Sequence, residues 1–555
     1  MMRYLKYSLP FFLLTISLCV FSQKGVKKGE VLYNGIQLPT QWPPANVDLN
    51  SDTPLKAPYM DEIPKVIDIS VGRQLFVDDF LIEYSTLERK YHQAVKYKGN
   101  PIIYPTMSYE KNSGVGKNRD VTYLGHGGVF YDPLDNLYKM YYTAGWRGGL
   151  ALAISKDLLI WEKPQLNENG SNILIRGGAK YAGEDNSVWL DIDAVKPTER
   201  LKYLTDRRTN DSISGRHSLM VSDGTHWSQP IQVNTNQGDY SSFFYNPFRR
   251  KWVFSIKKSD TGTRSRLYLE TDKFLDGWDW KKSVAWTRTD SLDKPDPHIG
   301  DKPQLYSLNA VAYESIMLGE FYIHLGPKNE ICNASKEPKI TELKMGFSRD
   351  GFHWYRPDRE AFISASRENG SWDKGYIHGT TGVCVVKGDS LYFPYTGFSG
   401  QATDGTKGMY TGASIGLATL RRDGFASLDA KDEEGVVISR ILKFQGKYLF
   451  VNVNSAKGSL RAEILDENNQ VISGYEVQSC FPIRADKTLE RVEWSDRKDL
   501  SDLSGKKIKV KFYLENGALY SFWISPDFNG ASYGYQGAGS AGLDGVIDDK
   551  GLLNY

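Results

Sequence analysis

From about residue 66 onward the chain is dominated by short runs in which apolar and polar residues alternate, arranged in pairs. GGVFYD, a Pro-Leu-Asp-Asn turn and LYKMYYTA form the first pair. NSVWLDID with LKYLTD, SSFFYN with KWVFSIK through Pro247, NAVAYES with GEFYIHL, and TGVCVV with LYFPYTG through Lys387-Gly388-Asp389 form the next four. A period of two bounded by turn residues predicts antiparallel strand pairs. Each pair leads into a segment resembling Ser-x-Asp-Gly-x-x-Trp: SKDLLIWEKP, SDGTHWSQP, TDKFLDGWDW, SRDGFHWYRP and LRRDGFASL. These segments set Trp161, Trp227, Trp280, Trp354 and Phe425 at equivalent points. The Asp-Gly pair suits a tight turn, and the aromatic ring is expected to fill the space between neighbouring sheets. A unit of several strands recurring about every 50–75 residues predicts a propeller blade.

The predicted fold is all-β, a five-bladed β-propeller over 66–428 followed by a β-sandwich over 429–526. In the latter, Leu460, Ala462 and Ile464 share one face, as do Ile508, Val510, Phe512 and Leu514, with Lys507, Lys509 and Lys511 turned outward. That alternation predicts half-buried antiparallel strands. A proline-rich lead-in covers 23–65, a strand is expected through RQLFVDDFLIE, and a Gly-rich tail without regular pattern covers 527–555.

Composition narrows the partners. The formal net charge of the 555 residues is +2, without the basic excess of a nucleic-acid binder. Aromatic residues reach 13%, which suits strands and also sugar rings. Arg3 and Lys6, an apolar run from Leu9 to Phe21, and Val20 and Ser22 at a small-residue cleavage site predict an export signal over 1–22. Cys19 follows bulky Leu18, which disfavours a lipid anchor. The expectation is an exported, periplasmic or secreted monomer with no transmembrane segment. Cys332, Cys384 and Cys480 then remain, too few and too scattered for a disulfide framework or zinc site. No cofactor is expected; a structural calcium would leave no pattern here.

In a propeller the first strand of each blade lines the central channel, and the loops entering those strands meet at one mouth. The loops offer Arg119, Asp120 and His126; Glu184 and Asp185; Asp239 and Tyr240; Asp301 and Tyr306; and Trp372, Asp373 and His378. Glu184, Asp185, Asp239, His126 and His378 are the candidate catalytic set, because glycosidic cleavage needs a proton donor and a second carboxylate or base. Arg119, Asp120, Arg147, Arg216, Tyr240, Asp301, Tyr306, Trp372 and Asp373 are the candidate substrate-binding set. Arg207 and Arg208 fall in the same two blades as Arg119, Arg147 and Arg216. Arginine pairs bidentately with carboxylate and sulfate, which points to an acidic sugar.

The span from about Val71 to Leu428, with its GRQLFVDDFLIE opening, its repeats and its closing LATLRRDGFASL, resembles the five-bladed propeller glycosidases of glycoside hydrolase families 43 and 32. It is closer still to secreted bacterial relatives that carry a sandwich like GVVISRILKFQGKYLFVNV. The resemblance implies a carbohydrate-active enzyme. The families' catalytic carboxylates do not carry over: His126-Gly127-Gly128, Glu184-Asp185-Asn186 and Asp239-Tyr240 stand at their places. The readings are therefore acid/base hydrolysis of an acidic oligosaccharide; dehydration or lyase cleavage of a uronate, in which Arg neutralises the carboxylate as the carbanion develops; non-catalytic glycan binding; and another hydrolase, such as a sulfatase-like activity.

Overall fold

The structure, a computed structural model, describes residues 29–111, 118–176, 186–206, 217–235, 237–258 and 263–554. Five antiparallel meanders follow one another along the chain. The first comprises Thr122–Asp132, Leu137–Ala144, Gly149–Ser155 and Ile173–Ile175; the second Asn186–Leu190, Leu201–Asp206, His217–Ser222 and Ile231–Gln232. The third comprises Ser242–Asn246, Lys251–Lys258, Ser265–Thr271 and Val284–Thr287; the fourth Gln304–Glu314, Ile316–Gly326 and Ile340–Ser348, flanked by bridges to Tyr355 and Ile363. The fifth contains Gly375–His378, Val385–Lys387, Ser390–Phe398 and Ala413–Arg421.

The outermost strand of the fifth meander is Val95–Lys96, which precedes all the others in sequence. The ring is thus closed by both ends of the propeller chain. Neighbouring meanders are tied to one another by Ser187 pairing with His126, Ser242 Oγ donating to the Leu308 carbonyl, Thr341 Oγ1 donating to the Ile377 carbonyl, and Thr381 N–H donating to the His126 carbonyl. The repeat aromatics pack as blade filler. Trp354 lies over Gly319, and Phe425 sits among Phe347, Phe362 and Phe393.

Two six-stranded sheets form a sandwich beside the ring. Val510, Phe512 and Leu514 of one sheet share a core with Val451, Leu519 and Phe522 of the other. The predicted outward lysines divide. Lys507 is exposed, whereas the Lys509 stem is buried and its ammonium reaches Glu83 Oε2 at 2.6 Å, because the Ile82–Ser85 strand belongs to the same sheet. The domain boundary also differs from the sequence reading. Ile67–Asp68, Gln74–Leu75, Ile82–Ser85 and Glu88–Tyr91 pair with sandwich strands, so 67–91 joins the C-terminal domain and the propeller starts near Val95.

The Gly-rich tail is ordered where it reaches the ring. Tyr535–Gln536 pairs with Tyr313–Glu314, Gly537 bridges to Val385, and the Ala538 carbonyl accepts from Tyr131 N–H. Gly382 leaves no room for a side chain between Ala538 and Phe130. This segment thus ties together strands of the first, fourth and fifth meanders. Cys332, Cys384 and Cys480 are buried free thiols. Residues 1–22, expected from the sequence to be an export signal, lie outside the described residues. No described helix is long and apolar enough to cross a membrane.

Candidate active site at the channel mouth

Tyr240 sits just before the first strand of the third blade with φ +60°, and Tyr376 in the first strand of the fifth with φ +49°. Bulky residues seldom adopt this left-handed conformation, and where they do the surroundings must hold them in it. For Tyr240 the holder is Arg266, fully buried, whose guanidinium donates to the Tyr240 carbonyl at 2.6 Å and also to the Tyr306 carbonyl. The Tyr240 ring thereby reaches the channel axis. It makes edge contacts with His126, Tyr306 and His378 at centroid distances of 4.9, 4.9 and 5.0 Å.

Two hydrogen-bonded pairs result. The Tyr240 hydroxyl lies 2.7 Å from His378 Nδ1, and the Tyr306 and Tyr376 hydroxyls lie 2.7 Å apart. Burial holds His378 well below the ordinary imidazole range, with repulsion from His126 and Lys339 adding to the effect. Burial, then Arg266, lowers His126 to about 3. Both imidazoles are therefore neutral at physiological pH. His126 Nε2 lies 3.2 Å from Ser307 Oγ, and its ring stacks on Tyr322.

Cations gather on the other side of Tyr306. Lys257 Nζ, Arg264 Cζ and Lys339 Nζ each lie 5.3 Å from the centre of its ring. Lys257 forms an ion pair with Asp239, and Arg264 donates to Gln304 Oε1 at 2.6 Å. Burial lowers both Lys257 and Lys339, the latter to about 7. His324, next to this group, is brought to about 3 by burial and then by Lys339. The result is a buried site with an excess of cationic groups, lined by phenols and imidazoles.

Of the sequence candidates, the structure brings together Asp239, Tyr240, His126, Tyr306 and His378. Arg119 lies at the first-blade edge of the same mouth, its guanidinium 5.5 Å from the centre of the Trp146 ring, which stacks on Tyr410 at 4.3 Å. Arg147 occupies the turn beside Trp146 with φ +56°. Asp301 lies against Gly326 at the end of a fourth-blade strand. Three candidates serve the scaffold. Asp120 accepts from Thr403 N–H at 2.6 Å, Trp372 packs over Gly416 and beside Tyr395, and Asp373 accepts from Lys96 Nζ at 2.6 Å, fastening the closing strand. Glu184, Asp185, Arg207, Arg208 and Arg216 lie outside the described residues.

Lys257, Arg264 and Lys339 escaped the sequence reading for a geometric reason. Adjacent strands of a blade are antiparallel, so the connection between strands two and three opens on the same face as the entry to strand one. Lys257 ends a second strand, and Arg264 and Lys339 precede third strands. Basic residues at those connections were the available signal.

No family model matches the chain, and none of the curated proteins is similar to it. Among solved structures, a thermostable family-43 glycoside hydrolase is 12% identical, with 57% of this chain and 95% of its own covered and a TM-score of 0.39. The Schwanniomyces occidentalis fructofuranosidase complexed with fructosylnystose is 13% identical over 76% of this chain and 96% of its own, at 0.35. The catalytic domain of the Coprinopsis cinerea GH62 α-L-arabinofuranosidase is 10% identical over 59% and 97%, at 0.36.

Proposed function

We propose that the protein is a carbohydrate-active enzyme that takes a uronate-containing oligosaccharide at the upper mouth of the channel and eliminates the group β to the carboxylate. The observation that carries this reading is the convergence of Lys257, Arg264 and Lys339 on Tyr306, next to the Tyr240–His378 pair. A buried excess of positive charge is costly unless an anion joins it, and a sugar carboxylate supplies that anion.

The chemistry follows from the groups in place. With the carboxylate neutralised by cations, the hydrogen on the adjacent sugar carbon becomes more acidic. The Tyr240 oxygen, positioned by His378 Nδ1, takes that proton, entering the step as the phenolate and leaving it as the phenol. The C–H electron pair forms the new carbon–carbon double bond as the bond to the β oxygen breaks. The Tyr306–Tyr376 pair gives a proton to the departing oxygen. Water leaves if that oxygen is a free hydroxyl, and a sugar leaves if it is glycosidic.

Asp239 favours a second reading, acid/base hydrolysis, because it places a carboxylate at the same mouth. Hydrolysis requires a second carboxyl group across the scissile bond. Glu184 and Asp185 are the candidates for it. Mass spectrometry after incubation with acidic and neutral oligosaccharides separates the routes. Dehydration removes the mass of one water, lyase cleavage leaves an ultraviolet-absorbing unsaturated end, and hydrolysis adds a water across the products. Turnover confined to neutral sugars would refute the uronate reading.

A further inference from the structure

Lys339 differs from the other two cations of the cluster. It stands where the chain leaves the short helix Asn329–Ser335 and enters the Ile340–Ser348 strand. Its side chain turns inward and is almost wholly buried. The ammonium lies 4.7 Å from the ring centre of Tyr376 and 5.3 Å from those of Tyr306 and Tyr410. Its hydrogen-bond acceptors are neutral: Asn329 Oδ1 at 2.9 Å and the Tyr410 hydroxyl at 3.4 Å. Lys257 holds Asp239, but no described carboxylate lies within ion-pair distance of Lys339.

The remaining charges around it make its isolation sharper. Arg264 and Lys257 repel it from the third blade, and Asp239 attracts it at longer range. The Cys332 thiol on the neighbouring helix is a further titratable neighbour, itself pushed up by burial. His324 and His378 are both disfavoured as cations by the presence of Lys339. Three phenol faces supply quadrupolar attraction, which favours a cation without neutralising it.

We infer that Lys339 is the specificity-determining residue for the uronate, its ammonium forming an ion pair with the substrate carboxylate inside the Tyr306–Tyr376–Tyr410 cage. This rests on the uronate reading above and assigns the selection to one side chain. Burial and Arg264 leave Lys339 at about 7, so it is mostly neutral at pH 8, and pairing with an anion draws a proton from solvent.

The experiment compares binding of a uronate-terminated disaccharide with binding of its methyl ester, by isothermal titration calorimetry on the full-length protein and its Lys339→Met variant. The wild-type protein is expected to prefer the acid by at least about tenfold, roughly one charge-assisted contact. The variant should bind the two equally, with a melting temperature close to wild type as evidence that it folds. A preference retained in the variant overturns the assignment to Lys339 and leaves the uronate reading standing. A wild-type protein that favours the ester overturns both. Repeating the wild-type titration at pH 8 in buffers of different ionisation heat needs no variant. Uptake approaching one proton is expected, and no uptake contradicts the assignment.

Discussion

The Tyr240 hydroxyl and His378 Nδ1 lie 2.7 Å apart, both side chains buried, at the point where the third and fifth blades meet the channel axis. The contact exists because Arg266 holds Tyr240 at φ +60°, a conformation that costs about 1–2 kcal/mol for an L-residue. The strained backbone aims the phenol at a neutral imidazole, which fixes where the phenol oxygen sits.

Removing that one oxygen is the simplest check. Tyr240→Phe keeps the ring packed against His126 and Tyr306 and deletes the hydrogen bond to His378. Turnover should fall about 10²–10⁴-fold, the usual contribution of a positioned acid or base, while the melting temperature stays close to wild type. Initial rates on a uronate oligosaccharide measure it, and full activity would move the reaction centre elsewhere.

The pH dependence of stability has two limbs of opposite sign. His126 is lowered from 6.5 to about 3, so its contribution is complete above pH 6.5 and is lost as pH falls toward 3. Glu320, buried against Gly379 behind His378, is raised from 4.5 to about 8 by burial. Its contribution is complete below pH 4.5 and is lost as pH rises through 8. Urea titrations at stepped pH should show both limbs. Glu320→Gln should flatten the alkaline one and leave the acid one in place.

Blade packing is tested at Gly319. A methyl group there would meet the Trp354 ring at 2.6 Å, against a side chain that is itself buried. Gly319→Ala should cost about 1–3 kcal/mol, the range for overpacking. Chemical denaturation reads this, with activity per folded molecule unchanged.

Between the domains, Arg73 lies against Glu314 and Asp423, and Arg422 against Glu314 and Asp548, all fully buried. Arg73→Met would strand carboxylates without their counter-charge and should cost about 3–5 kcal/mol. Denaturation curves measure the loss, and a change below 1 kcal/mol would show that the network is dispensable.

The ring of sheets is legible in the sequence because period-two alternation and Asp-Gly turns are local signals. Tyr240, Tyr306 and His378 were legible because each lies in or beside the short segment that leads into or forms an inner strand. Lys257, Arg264 and Lys339 were not, because the inner-strand rule overlooks the second set of loops on that face. The pairing of 67–91 with the C-terminal sheets escaped notice because two-residue strands joined to distant partners leave no periodic trace. The tail looked irregular because its glycines serve close approach. Gly537, at φ +58°, would set a Cβ 2.6 Å from the Cys384 carbonyl.

The most direct test of elimination at the Tyr240–His378 pair uses water labelled with heavy oxygen. The protein is incubated with a defined uronate-terminated oligosaccharide and the products are weighed by mass spectrometry. Elimination gives an unsaturated, ultraviolet-absorbing product that carries no heavy oxygen, and this is the expected result. A saturated product with one heavy oxygen at its new reducing end would contradict it and establish hydrolysis.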